Sequence, residues 1–406
     1  MTETPWPLSG RDPRADAPAT LAPATALRFV VLIGFVSLFA DMTYEGARSV
    51  TGPFMAALGA SAAVVGSVSG LGELLGYGLR LATGYLTDRT RRYWSITIAG
   101  YAINLFSVPL LALAGHWQVA AVLIVLERTG RAIRKPAGDA MLSHAAASMG
   151  QGWAFGLREA MDQTGAVLGP VALAVVLAHR AGYHVAFALL VVPATLSLII
   201  LLIAQRLYPR PQDLEVKRAS PLASEGIPRV FWLYLGAGAL IAAGSVDFPL
   251  AAYHFAKTGV VRPPQIPLLY ALAMGAAAVS APVVGRLYDR LGLMVVAGAA
   301  LLPVAAAPLL FLGGAIQAAI GAALFGVGMS FQDSTVRAAL ADLVPADKRA
   351  SAYGTFDAAF GVAWFAGSAL MGVLYGRAPF ALVAFSVTTQ LAAVILLIAA
   401  ARSRAA

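Results

Sequence analysis

Gly84-Tyr85-Leu86-Thr87-Asp88-Arg89-Thr90-Arg91-Arg92 stands between two long apolar runs and decides how the rest of the chain is read. Charges placed between two lipid-compatible segments belong in a tight loop at a membrane surface, where water solvates them. A near copy, Gly285-Arg286-Leu287-Tyr288-Asp289-Arg290-Leu291-Gly292, follows the eighth apolar run, and its Gly and Asp both come 201 positions after their counterparts. Phe155-Gly156 matches Tyr353-Gly354, and Gly169 matches Gly367, each 198 positions apart. The chain thus reads as two copies of one bundle, the internal symmetry found in many transporters.

Bulk composition agrees. Of 406 residues, 59% are hydrophobic and 12% charged, with mean hydropathy +0.76; soluble domains carry about 25% charged residues. There is no cysteine, which excludes disulfides and thiolate metal sites. Residues 1–27 are Pro- and Ala-rich with charges of both signs, and are expected to form a cytoplasmic tail rather than a signal peptide.

A bilayer core of about 30 Å needs roughly 20 apolar residues per helix. Twelve such runs are predicted near 28–54, 62–83, 94–115, 117–136, 153–178, 183–206, 229–254, 266–287, 293–313, 315–337, 351–375 and 380–401. Residues 28–206 and 229–401 are then two six-helix bundles, joined by a charged linker at 207–228 and followed by a tail at 402–406. Placing the N-terminus inside puts twenty Lys and Arg on the cytoplasmic side and only Arg180, Lys257, Arg262 and Arg377 outside. Both termini are therefore expected to be cytoplasmic. The +9 charge is a topology signal, and no nucleic-acid partner is expected.

The five His form no metal-type helical pair, and no phosphate-cradling Gly-x-x-x-x-Gly-Lys-Ser/Thr stretch is present. No metal, cofactor or enzymatic activity is expected, and coupling to ATP within the chain has no support.

The Gly84 stretch and its repeat resemble the loop signature of the major facilitator superfamily, Gly-x-x-x-Asp-Arg-x-Gly-Arg-Arg. The sequence departs from it at Thr90-Arg91, where the family usually has a Gly. Glu127-Arg128-Thr129-Gly130-Arg131-Ala132 resembles the family's helix-4 element, a buried Arg followed by a small residue. The match is Arg128 with Gly130 or Ala132, or Arg131 in the Arg role. Gly165 to Gly169-Pro170 resembles its helix-5 motif, associated there with exporters, in which small residues let helices approach and Pro bends the helix at a hinge. The resemblance implies an all-α fold of twelve transmembrane helices and alternating access around a central cavity. It also implies a cytoplasmic gate built from Gly84, Asp88, Arg89, Arg92, Asp289, Arg290 and Asp357. Asp88 is expected to accept hydrogen bonds from the N-terminus of predicted helix 11, near 350–353.

An ion at mid-helix in lipid costs about 2.5–3.5 kcal/mol even on insertion scales, so each intramembrane charge needs a cavity or a partner. Asp41, Glu45 and Arg48, with Tyr44 beside them, share a face of predicted helix 1; the alternative is a closed Glu45–Arg48 pair. Glu73, Tyr77 and Arg80 share a face of helix 2. On helix 4, spacing pairs Glu127 with Arg131 and points Arg128 away, either as a permanent pair or as a coupling device. Candidate coupling carboxylates are Glu127, then Asp41 and Glu73, the last two with less obvious cationic partners. Tyr44, Glu45, Arg48, Arg128, Arg131 and Gln163 are candidate cavity residues. The second half is poorer in charge, with Asp247 toward the outer end of helix 7. From the two halves together, aromatics such as Tyr101, Phe106, Trp364 and Phe365 are available to line a pocket.

The expected function is secondary transport of a small solute, coupled to protons, by a monomer in a bacterial-type inner (plasma) membrane. Symport, antiport, uniport and direction stay open, as does a facilitator or a non-transporting sensor on the same fold.

Overall fold

Lipid removes water as a hydrogen-bond partner, so a chain this apolar satisfies its backbone within helices. In the computed structural model, which describes residues 23–146, 151–209, 229–291, 298, 300–332 and 349–405, the described residues contain helices and no strands. The first half holds α1 (Pro23–Ala57), α2 (Ala62–Thr90), α3 (Tyr93–Leu110), α4 (Trp117–Ala146), α5 (Gln151–Ala178), α6 (Gly182–Leu189) and α7 (Val191–Leu207). The second holds α8 (Arg229–Gly244), α9 (Phe248–Thr258), α10 (Ile266–Leu291), α11 (Ala306–Leu312), α12 (Ala315–Ser330), α13 (Arg349–Arg377) and α14 (Pro379–Ala405). Predicted helix 6 is α6 with α7, helix 7 is α8 with α9, and helices 8 to 12 are α10 to α14.

Among the described residues, 9 stretches are long and apolar enough to cross a bilayer. α4 is not one of them, because Glu127, Arg128, Arg131, Arg134 and Lys135 crowd its middle. Pro303–Leu312 and Ala315–Ser330 are shorter apolar helices.

The charged stretch is not the loop that its composition predicts. α2 continues through Asp88-Arg89 to Thr90, leaving Arg91-Arg92 as the link to α3. Arg91 caps α2 in the left-handed region, φ 53°, at the position where the family motif has glycine. α10 likewise runs through Asp289-Arg290 to Leu291.

Within the first half α1 packs on α5 and α4 on α2 and α3; within the second α10 packs on α12 and α8 on α13 and α14. The halves meet where α2 lies on α13, α1 on α9 and α5 on α10. Two of these contacts depend on missing side chains. A β-carbon on Gly165 would collide with the Leu38 carbonyl oxygen and one on Gly169 with that of Met42, so α1 and α5 touch backbone to backbone. Across the halves, a β-carbon on Gly66 would collide with the Ser368 carbonyl oxygen.

Predicted helix 7 is broken at Ser245–Asp247. Pro249 sits in the first turn of α9, where its missing N–H costs nothing. The freed Gly244 carbonyl accepts from Ser386 Oγ at 2.6 Å and Gln390 Nε2 at 3.0 Å, which keeps a broken helix tolerable in lipid.

Candidate functional site

The charges of α1, α2 and α4 converge rather than facing lipid. Arg48 Nη2 donates to Glu73 Oε1 at 3.1 Å and lies 3.8 Å from Asp247 Oδ1. Arg128 Nη1 lies 3.4 Å from the same Glu73 oxygen, and Arg128 Nε lies 3.3 Å from Glu127 Oε2. Arg48, Glu127 and Asp247 are 8%, 8% and 1% exposed, so these are buried contacts in a low-dielectric setting. Asn104 of α3 donates through Nδ2 to Glu127 Oε1 at 2.8 Å, holding the carboxylate oxygen that Arg128 does not meet.

A second group continues the cluster along α1. Arg131 Nη1 lies 3.6 Å from Glu45 Oε1, and its guanidinium stacks 4.4 Å from the centre of the Tyr44 ring. Tyr44 donates to Asp41 Oδ1 at 2.5 Å, and Arg134 lies over both Tyr44 and Tyr101. Glu45 Oε2 accepts from Tyr270 of α10 at 2.5 Å. Two polar contacts therefore cross between the halves here, Arg48–Asp247 and Glu45–Tyr270. Asp247 follows Arg48 by 199 positions, close to the internal repeat, so the ion pair joins near-equivalent positions of the two copies.

These pairings correct three expectations. Glu127 and Arg131 do not form the contact that their spacing predicts: Glu127 binds its neighbour Arg128, and Arg131 turns to Glu45. Glu73, expected to lack an obvious cation, holds two. The closed Glu45–Arg48 alternative is also not what forms, because each residue faces a different helix. Asp247 sits at the break of helix 7, where it accepts from Trp364 Nε1 at 3.0 Å and Ser368 Oγ at 2.6 Å.

A small, partly open cavity, with about 30 Å³ in which a water-sized molecule can be centred, borders the cluster. Tyr44, Arg48, Glu127 and Arg128 line it together with Thr51 and Ser69, and Val108, Leu111 and Ile124 supply an apolar side. Trp364 lines a different cavity, beside Ser245, Gln332 and Gln390 in the second half. Tyr101 is engaged by Arg134, while Phe106 is exposed.

The other expected residues are placed as follows. Gln163 donates to Glu159 on its own helix at 2.9 Å and lies outside both cavities. Arg158 of α5 joins α4 through Asp139 at 2.5 Å, with Asp162 at 3.6 Å and Ser37 Oγ at 3.2 Å. Burial acts to raise the Asp139 carboxyl, but Arg158 and Lys135 hold it below the usual carboxylate range. Of the residues expected to form a gate, Arg89, Arg92 and Arg290 are exposed and Asp357 is half-buried, while Gly84 approaches Pro136 at ordinary contact distance. The side chains of Asp88 and Asp289 lie outside the described residues, and so does the expected contact of Asp88 with helix 11. Gly130 meets the Asn104 backbone, the close helix packing expected of a small residue after the α4 arginine.

Sequence reasoning missed Asn104, Tyr270, Ser368 and Asp139. Asn104 had a signal, a lone amide inside the apolar run Tyr101–Leu105; the others are revealed only by which helices meet.

The model of the Major Facilitator Superfamily matches residues 30–316 and again 238–405. An uncharacterized protein of Mycobacterium tuberculosis is 41% identical over 387 residues, covering 94% of this chain and 95% of its own length. An uncharacterized MFS-type transporter of Methanocaldococcus jannaschii is 25% identical over 362 residues, 86% of this chain and 89% of its own. Among solved structures, the peptide transporter POT in complex with sulfate superposes with TM-score 0.73 at 15% identity, over 92% of this chain and 94% of its own. The nucleoside transporter NupG superposes with TM-score 0.71 at 12% identity, over 92% and 98%. At these identities the two structures establish the fold alone. The chain is a multi-pass membrane protein and belongs to the major facilitator superfamily.

Proposed function

We propose that this protein carries out proton-coupled secondary transport of a small solute by alternating access. One observation carries the reading: a buried charge cluster links α1, α2 and α4 to the break of helix 7, and one of its carboxylates, Glu127, also lines the cavity. Arg48 and Arg128 face Glu73, Glu127 and Asp247, two cations against three carboxylates. A buried carboxylate that loses its cation costs several kcal/mol, which favours uptake of a proton.

Glu127 is the coupling carboxylate in this reading, with Asp41 and Glu73 as alternatives. It lines the cavity, so a proton can reach it, and it holds Arg128. Protonation loosens that hold and frees Arg128 for solute; deprotonation recaptures it, so the two bindings are linked reciprocally. Arg131, Glu45 and Arg48 also act on Glu127 electrostatically, and Asn104 holds its place.

The inferred orientation has both termini cytoplasmic in a bacterial-type inner membrane. The contacts between halves at Gly66, Gly52 and Tyr253 then close the outer end, and Arg89, Arg92 and Arg290 stand at the inner end. Gly165, Gly169 and Pro170 serve as the hinge between α1 and α5, and export remains the direction that the helix-5 resemblance favours. Wild-type protein in proteoliposomes tests the coupling: an imposed pH gradient drives solute uphill if the reading holds, and flux indifferent to the gradient refutes it.

A further inference from the structure

We infer that the α1–α4 cavity binds a compact aliphatic monocarboxylate, whose carboxylate takes the place of Glu127 on the Arg128 guanidinium. The inference rests on the coupled-transport reading and names its substrate class.

Two arginines line the cavity, and both lean on one oxygen of Glu73, which lies behind them and is not part of the wall. A guanidinium offers five N–H donors in a planar fork, and Glu73 uses few of them. The Nε of Arg48 has no hydrogen-bond partner but is closed off from solvent, so the proposed ligand contact is with Arg128. A planar carboxylate matches such forks, whereas a lysine offers a point charge without the geometry. Ala47, Val108, Leu111, Ile124 and Pro249 give the cavity an aliphatic part suited to a short alkyl chain, beside the hydroxyls of Tyr44, Thr51 and Ser69.

Charge balance restricts the ligand further. Both wall arginines already hold carboxylates, so a dianion such as phosphate would bring two negative charges where Glu127 gives up one. A monoanion entering as Glu127 takes a proton leaves the cluster charge unchanged, because one carboxylate replaces another on the same arginine. An amine would meet two arginines at the wall, and a neutral amide would leave the fork of Arg128 without an anion.

The experiment uses purified full-length protein in nanodiscs, with saturated monocarboxylates from acetate to hexanoate as probes. Butyramide, butylamine and inorganic phosphate serve as comparisons. A carboxylate of this series should raise the unfolding temperature and bind with an affinity that strengthens by up to about tenfold per pH unit on acidification. Arg128→Lys, which keeps the charge against Glu73, should stay monodisperse and lose at least about tenfold in affinity. The inference is overturned if no acid of the series binds, if butyramide or butylamine binds as well as butyrate, or if Arg128→Lys binds butyrate like wild type. Failure of the coupling looks different. Butyrate binding that needs Arg128 but ignores pH upholds the carboxylate site and removes the proton, whereas pH-driven uptake of another solute with no acid bound does the reverse.

Discussion

Arg91 takes a left-handed backbone conformation where the superfamily motif has glycine. A side chain there costs about 1–2 kcal/mol, of which part is offset because glycine loses more chain entropy on folding. Arg91→Gly is expected to keep the fold and raise the thermal unfolding midpoint, a gain of up to about 1 kcal/mol; a lowered midpoint would show that the arginine's own interactions outweigh the strain. Arg48 is the opposite case, since it neutralises Glu73 and Asp247 together. Arg48→Met should destabilise by about 3–5 kcal/mol, the cost of leaving a buried charge unpaired. Adding Asp247→Asn should recover part of that loss, and a double variant no better than the single would remove Asp247 from the pair. Sequence spacing located nearly all of these ions but assigned their partners wrongly. Periodicity ranks neighbours within one helix, whereas the partners of Glu73, Glu45 and Arg48 come from other helices.

Elements that touch through glycine tolerate no added bulk. Gly165→Val forces a β-carbon into the Leu38 carbonyl and should abolish monodisperse protein in size-exclusion chromatography. Gly156→Ala, on the same helix with nothing within 4 Å of its β-carbon, should change stability by no more than about 0.5 kcal/mol. If both variants behave alike, the α1–α5 crossing is not as described. The helix-5 motif was legible because Gly165, Gly169 and Pro170 recur at helical spacing. The break in helix 7 was not, although Pro249 marked it: only Ser386 and Gln390, far along the chain, show how the opened backbone is satisfied.

At the scale of the whole molecule, the repeat of the Asp-Arg stretch and the hydropathy pattern were enough to give the fold, because lipid leaves few alternatives to a helical bundle. They could not give the state, which depends on where the halves touch. Gly66 lies in the α2–α13 contact, so Gly66→Val should open that end rather than unfold the protein. The chain has no cysteine, and Ser69→Cys, on the cavity wall, reports the change. Labelling by a membrane-impermeant maleimide from outside the cell should rise when Gly66→Val is added; unchanged labelling would mean that this contact does not close the outer end.

The central claim, that a proton on Glu127 is exchanged for its hold on Arg128, is tested most directly by Glu127→Gln in proteoliposomes. Counterflow is measured with solute on both sides, and accumulation is measured under an imposed pH gradient. A permanently neutral side chain should leave counterflow intact and abolish pH-driven accumulation. Accumulation that persists in Glu127→Gln would contradict the claim and move the coupling to another carboxylate of the cluster.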